Sequence, residues 1–218
     1  MSARDNILAR IRKAQGRTGT EPTAAELELV RANIAQRAGG PIPAIGRASD
    51  LVLQFRHECD RVGTTHGEVA SREAVPGEVR RYLDAIAVEP RVLVWHELAG
   101  LDWSAAGIAI DDRPAQATDR TSITTCFCAI AETGTVLLLS SPAAPKATAL
   151  LPETHVCIVA KSRIVPNMEA AFALLRAERG EPPRATWFVS GASRTADIEQ
   201  TLVVGAHGPY RVHVILVP

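Results

Sequence analysis

The chain of 218 residues is poor in several things, and each shortage removes a class of function. Four cysteines, Cys59, Cys126, Cys128 and Cys157, are too few and too apolar in their surroundings for a disulfide framework. Cys126 and Cys128 form C-x-C with no second pair, so neither a zinc site nor an iron–sulfur cluster is completed, and burial as small hydrophobes is the expectation for all four. No excess of one charge exists either, since 24 basic residues meet 24 acidic ones. A field that would draw nucleic acid or an anionic membrane is therefore not expected. No apolar run approaches the ~20 residues that span a bilayer, and MSARDNILARIRKAQG has no apolar core of the signal-peptide kind. The expected location is the cytoplasm. Among six histidines there is no H-x-x-x-H or H-E-x-x-H spacing, so no metal site is expected. G-x-G-x-x-G after a strand, G-x-x-x-x-G-K-S/T and G-x-S-x-G are missing too, which leaves dinucleotide, nucleoside triphosphate and hydrolase readings without support.

What is present is an ordinary soluble composition, 46% hydrophobic and 22% charged, with enough length to bury a full core and carry an extension. Ile7, Leu8 and Ile11 stand at helical spacing among basic residues. Thr23 and Glu26 form a capping box ahead of Leu27, Val30 and Ile34, which predicts a second helix to about Arg37. Gly39, Gly40, Pro41 and Pro43 read as a linker, and Ser49 or Asp50 as the cap of a third helix with Leu51, Val52, Phe55 and Cys59. Residues 1–45 are thus expected to form a helical extension and 46–218 an α/β domain.

From Arg61 strands and helices alternate. The pattern predicts strands near Val62 to Val69, at Arg91 to Trp95, around Ile110, at Thr135 to Leu139 and at Thr154 to Ala160. Helices are expected at Pro76 to Ile86 and Met168 to Glu178, the latter with Ala171, Leu174 and Leu175 inward, and a short helix or turn at Ser122 to Ala131. Such alternation implies a mostly parallel sheet flanked by helices.

The stretch from Ser190 to Pro209 draws the most attention. ATWFV before it reads as a parallel strand buried on both faces, and RVHVILV after it as another strand of the same sheet. Between them Ser193 or Thr195 is expected to cap a short helix through Asp197, Ile198, Leu202 and Val203, completing a βαβ unit. A helix N-terminus beyond the carboxyl end of a parallel strand favours anions, so Ser190, Gly191, Ser193, Arg194 and Thr195 form a candidate anion cradle. The plainer alternative is that the hydroxyls only cap the helix. His96 and Glu97 leave a strand at the same edge, as do Glu132 and Thr133 beside Gly134. Glu132, flanked by small and apolar residues, either faces a pocket as a general base or accepts backbone N–H bonds in its glycine turn. His207, between glycine turns, is a candidate acid or base, whereas His96 and His155 read as structural.

SG-A-SRTADIE followed by G-x-HGP resembles the signature of the lactate-utilisation protein C family, which carries the LUD domain. AIAETGTVLLLS and ALLPETHVCIVAK are similar to that family's other two blocks, in the same order, and the likeness covers roughly residues 60 to 218. Two departures stand out: Ala192 where the family commonly has Pro, and Lys146 where it often has Arg, which removes a bidentate fork for a carboxylate. The resemblance implies a fold of the sugar-phosphate isomerase and CoA-transferase type. It also implies a role as one subunit of a cytoplasmic system that oxidises L-lactate to pyruvate with iron–sulfur partner proteins, no cofactor being held on this chain. In that role Arg194 or Lys146 would meet the carboxylate of lactate or pyruvate, and Glu132 or His207 would handle protons. A non-catalytic assembly or regulatory module docking through the helical extension, and a transferase or isomerase acting on another anionic metabolite, are the alternatives. Whether the chain forms a homo-oligomer is left open.

Overall fold

The computed structural model describes residues 2–17, 21–36, 40, 49–197 and 199–218. The chain divides into two compact units, residues 1–45 and 46–218. In the first, α1 (Ala3–Ala14) starts at Ser2, whose hydroxyl and backbone N–H exchange hydrogen bonds with Asp5. The second helix, α2 (Ala24–Gln36), starts at the expected Thr23–Glu26 box. Of the linker, Gly39, Pro41 and Pro43 lie outside the described residues.

The second unit opens with α3 (Leu51–Val62). Asp50 caps it by accepting from the N–H groups of Val52 and Leu53, and Gly63 closes it in the left-handed region at φ 75°. Then come β1 (Thr65–Glu68), α4 (Val75–Ala85), β2 (Arg91–Val94), β3 (Ala109–Asp111) and β4 (Thr121–Thr125). β5 (Cys128–Ile130), β6 (Thr135–Leu139), α5 (Lys146–Leu150), β7 (Thr154–Ala160) and β8 (Ile164–Val165) follow. The unit ends with α6 (Met168–Arg179), β9 (Thr186–Val189), β10 (Arg194–Thr195), β11 (Val203–Val204) and β12 (Arg211–Val217).

Six strands form a wholly parallel sheet in the order β1-β12-β7-β4-β2-β3. β5, β6, β8 and β9 form a second, mixed sheet in the order β8-β5-β6-β9. One face of the large sheet packs Cys157, Val159, Val214 and Leu216 against Phe55 and Cys59 of α3 and against Val136, Leu138 and Trp187 of the small sheet. The other face packs Val156, Ile158 and Ile215 against Val79 and Leu83 of α4, with Trp103 and Ile108. α6 closes the far side of the small sheet through Ala171 and Leu175, with Leu174 partly buried.

Three expectations fail, each for a physical reason. The segment Ser122 to Ala131 is two strands rather than a helix or turn. Ser122 and Thr124 are buried, which hides the strand from any reading that seeks apolar alternation. ATWFV is not a parallel strand buried on both faces: β9 pairs antiparallel with β6 in the small sheet and is only half-buried. Among the described residues between Ser193 and Val203 no helix forms. β10 and β11 pair antiparallel, and Glu199 and Gln200 both take positive φ to turn the chain back; Ile198 lies outside the described residues. With β9 and β12 in different sheets, the expected βαβ unit and its helix N-terminus are absent.

Two buried imidazoles stabilise the sheet only when neutral. His155 meets Thr124 Oγ1 at 2.8 Å, and His213 meets Thr65 Oγ1 at 2.8 Å and stacks on Tyr82 with ring centroids 3.9 Å apart. Burial lowers the pKa of each to about 4. The unfolded chain binds these protons near pH 6.5 and the folded chain only near 4, so stability is full above pH 6.5 and falls as the pH drops toward 4. The expected loss is on the order of 3 kcal/mol per imidazole by pH 4. Urea midpoints measured from pH 7.5 to 4.5 check this, and a flat profile would contradict it. A second outcome concerns Gly134, at φ 61°, where an added Cβ would lie 2.6 Å from the backbone carbon of Glu58. Gly134→Ala is expected to cost at least about 2 kcal/mol, whereas Gly77→Ala, inside α4 with open space around it, is expected to stabilise by about 0.5 kcal/mol. Paired denaturation curves measure both.

Candidate functional site

In the large sheet the chain runs from β2 outward to β3 and then crosses back to β4, on the other side of β2. Loops leaving the carboxyl ends of β2 and β4 therefore diverge, and a crevice opens where the strand order reverses. A cleft of about 490 Å³ lies there. Trp95 and Glu97 come to it from β2, Thr125 and Cys126 from β4, and Arg163 and Glu178 from the segment after β7 and from α6.

The polar groups of this cleft hold one another in place. Thr125 Oγ1 donates to Glu97 Oε1, and Arg72 Nη2 donates to the Glu97 carbonyl at 3.1 Å. Arg163 donates from Nε to the Phe127 carbonyl at 2.9 Å, forks onto both Glu178 oxygens and lies over the Phe127 ring, 4.8 Å from its centroid. The hydrogen bonds from Arg163 hold the Glu178 carboxyl below its ordinary range. Arg179, exposed beside this pair, makes no ion pair among the described residues. Cys126 is half-buried at the floor. Its contact with the Cys157 thiol, together with burial, raises its pKa well above the ordinary value. It is therefore a neutral, polarisable wall and not a nucleophile at neutral pH.

Beside the cleft, sharing Trp95 and Ala143 with it, is a second hollow of about 270 Å³. His96, just past β2, and Asp112, just past β3, line it and form a pair with Nδ1 2.6 Å from Oδ2. Residues 141–145, from the loop before α5, wall the two spaces.

The residues read from the sequence as anion cradle and proton-handling groups, together with Lys146, fall into three groups, none of which lines either space. The first surrounds the carboxyl end of α3. Glu132, half-buried, lies in the turn whose Gly134 sits against the backbone of Glu58 and Cys59. Ser190 Oγ bonds to Thr135 Oγ1 at 2.6 Å, and Thr135 Oγ1 to Thr133 Oγ1 at 2.7 Å, so hydroxyls connect the two turns. Gly191, at φ 80°, would place a Cβ 2.4 Å from the Val62 carbonyl oxygen, and Arg194 Nη2 donates to that same oxygen at 3.3 Å. The second group is the β10–β11 hairpin. Ser193 N–H donates to the Pro209 carbonyl at 2.8 Å, Thr195 Oγ1 accepts from the Asp197 N–H at 3.2 Å, and His207 Nε2 stands 3.9 Å from Asp197 Oδ2. Lys146 is alone, exposed at the start of α5 and directly after Pro145, which lines the smaller hollow.

Of the groups that line the two spaces, the sequence had marked His96 and Glu97, as residues leaving a strand. Thr125, Cys126, Asp112, Arg163 and Glu178 were missed. A usable signal existed for two of them, since Asp112 and Arg163 are charged residues that closely follow strand segments.

This arrangement has relatives. The LUD domain profile matches residues 96–217. "Lactate utilization protein C" of Bacillus subtilis is 32% identical over 190 residues, covering 78% of this chain and 79% of that protein. The protein of the same name from Deinococcus radiodurans is 32% identical over 186 residues, covering 81% and 84%. Among solved structures, a DUF162 family protein from Deinococcus radiodurans superposes with a TM-score of 0.55 at 24% identity, over 82% of this chain and 100% of that one, a likeness of fold. With the profile running from the His96–Glu97 turn to the last strand of the sheet, the chain belongs to the LUD domain family.

Proposed function

We propose that this chain is a subunit of an L-lactate utilisation system that oxidises L-lactate to pyruvate with iron–sulfur partner proteins, and that the small acid is held in the crevice where the strand order reverses. The names of the relatives support the pathway, and the position of the crevice supports the site. The observation that carries the site is the opening of a cleft at the carboxyl ends of β2 and β4, lined by the guanidinium groups of Arg163 and Arg179 as well as by Glu97, Glu178 and Glu181. The turn at Ser190 to Thr195 is a weaker place for an acid. Arg194 is directed at the carbonyl end of α3, the negative end of a helix, where an anion is disfavoured.

Calorimetric titration of the whole chain with L-lactate and with pyruvate tests this. Binding is expected in the wild type and in Arg194→Ala. It is expected to be lost in Ala143→Phe, which fills the wall common to the two spaces. Silence of the wild type toward both acids, or loss in Arg194→Ala alone, would remove the crevice as the site.

A separate observation favours a docking role for the N-terminal unit. Neither α1 nor α2 buries a side chain, and Ile7, Ile11, Leu29, Val30 and Ile34 are exposed. We propose that these residues are covered by an iron–sulfur partner. Deleting residues 1–40 is then expected to abolish co-purification with that partner while leaving titration with the acids unchanged. Retained co-purification would count against the role.

A further inference from the structure

The six histidines are all among the described residues, and their surroundings separate them. His155 and His213 are enclosed in the sheet. His66 is largely covered and lies 3.3 Å from Asp60. His57 contacts Glu58 at 3.2 Å, and His207 stands 3.9 Å from Asp197; neither lines the cleft or the hollow. His96 combines three properties. Its carboxylate partner is the nearest of the set, its side chain is 77% exposed, and it lines a hollow at the carboxyl edge of a parallel sheet.

The chemistry of this pair is directional. An ionised carboxylate only accepts, so Asp112 Oδ2 fixes the ring proton on Nδ1 and leaves Nε2 as the group that meets a ligand. Nε2 has no protein partner among the described residues. The pair is set by the backbone, because β2 and β3 run parallel with Leu93 opposite Asp111 and each partner leaves its strand within three residues of that register. The hollow of about 270 Å³ holds an acid of about six heavy atoms with several waters at about 30 Å³ each.

We propose that His96 Nε2 is the contact and proton-exchange group for the C2 oxygen of a small 2-hydroxy or 2-oxo acid seated in this hollow, with Asp112 as the positioning residue. The proposal rests on the lactate reading above and seats the acid in the hollow that adjoins the larger cleft and shares Trp95 and Ala143 with it. A neutral ring accepts a hydrogen bond from the hydroxyl of the hydroxy acid, and a protonated ring donates one to the carbonyl of the oxo acid. Binding of the oxo acid is therefore coupled to proton uptake. The other charged groups around the ring are Glu97 on its own turn, with Arg72 on the Glu97 carbonyl, and Arg113, which is tied to Asp111 and Asp119.

Titration of the full chain with pyruvate at pH 7, in buffers of different ionisation heat, counts the protons. The wild type is expected to take up protons on binding pyruvate. In His96→Asn, which keeps a donor for Asp112, the uptake disappears and pyruvate binds about ten-fold more weakly. Equal proton uptake by wild type and His96→Asn would overturn the proposal while leaving the lactate reading standing. A wild type that binds neither acid would instead overturn the reading itself.

Discussion

The constraint on which the second unit depends is the complete pairing of β7. All seven of its residues are in register with β12, five pair with β4 on the other side, and every side chain but the last is buried. A strand so enclosed needs cover on both faces. α4 with the Trp103–Ile108 segment supplies one cover, and α3 with the small sheet supplies the other. The covers differ in kind, which gives the molecule its second sheet. The face toward α4 is closed by one amphipathic helix, whereas the face toward α3 is shared between a helix and strands that bring Trp187 and Leu138 inward.

The crevice follows from the same arrangement. Because β7 and β12 fill the centre late in the chain, β2 and β3 are laid down first on one side and β4 must cross back over β2. The strands either side of that crossing carry His96, Glu97, Thr125 and Cys126 at their carboxyl ends. Charge in the crevice is partly paired, Arg163 with Glu178 and His96 with Asp112, while Glu97, Arg179 and Glu181 also line the cleft.

Much of the sheet could be read from the amino acids because continuous apolar strands such as THVCIVA announce a parallel interior. The helices of α3, α4 and α6 were equally legible, since their caps and periodicity are local. What could not be read was non-local. A strand of Thr and Ser is readable only once the Thr124 hydroxyl is known to be hydrogen-bonded to the ring of His155 on the neighbouring strand. The cap-like residues Ser193, Thr195 and Asp197 serve a tight turn between two short strands as readily as they serve a helix, and only the cross-chain bond from Gly205 N–H to the Ser193 carbonyl decides between them. For the site, Glu97 was visible beside its strand, but its neighbour's link to Asp112 depends on the register of two strands joined by an irregular segment. The hydroxyl-rich motif that carried the family likeness sits instead around the end of α3.

That placement bears on where the domain begins. Gly134 and Gly191 bring their turns into backbone contact with Glu58, Cys59 and Val62, all of which precede the first residue matched by the family profile. β1, the edge strand paired along β12, precedes it as well. A fragment cut at the border drawn by likeness would lack the helix that these glycines were shaped to receive, and would leave β12 as a naked apolar margin open to self-association. A fragment that keeps the packing of these two glycines must therefore include α3 together with its cap at Asp50, ahead of the recognisable motif.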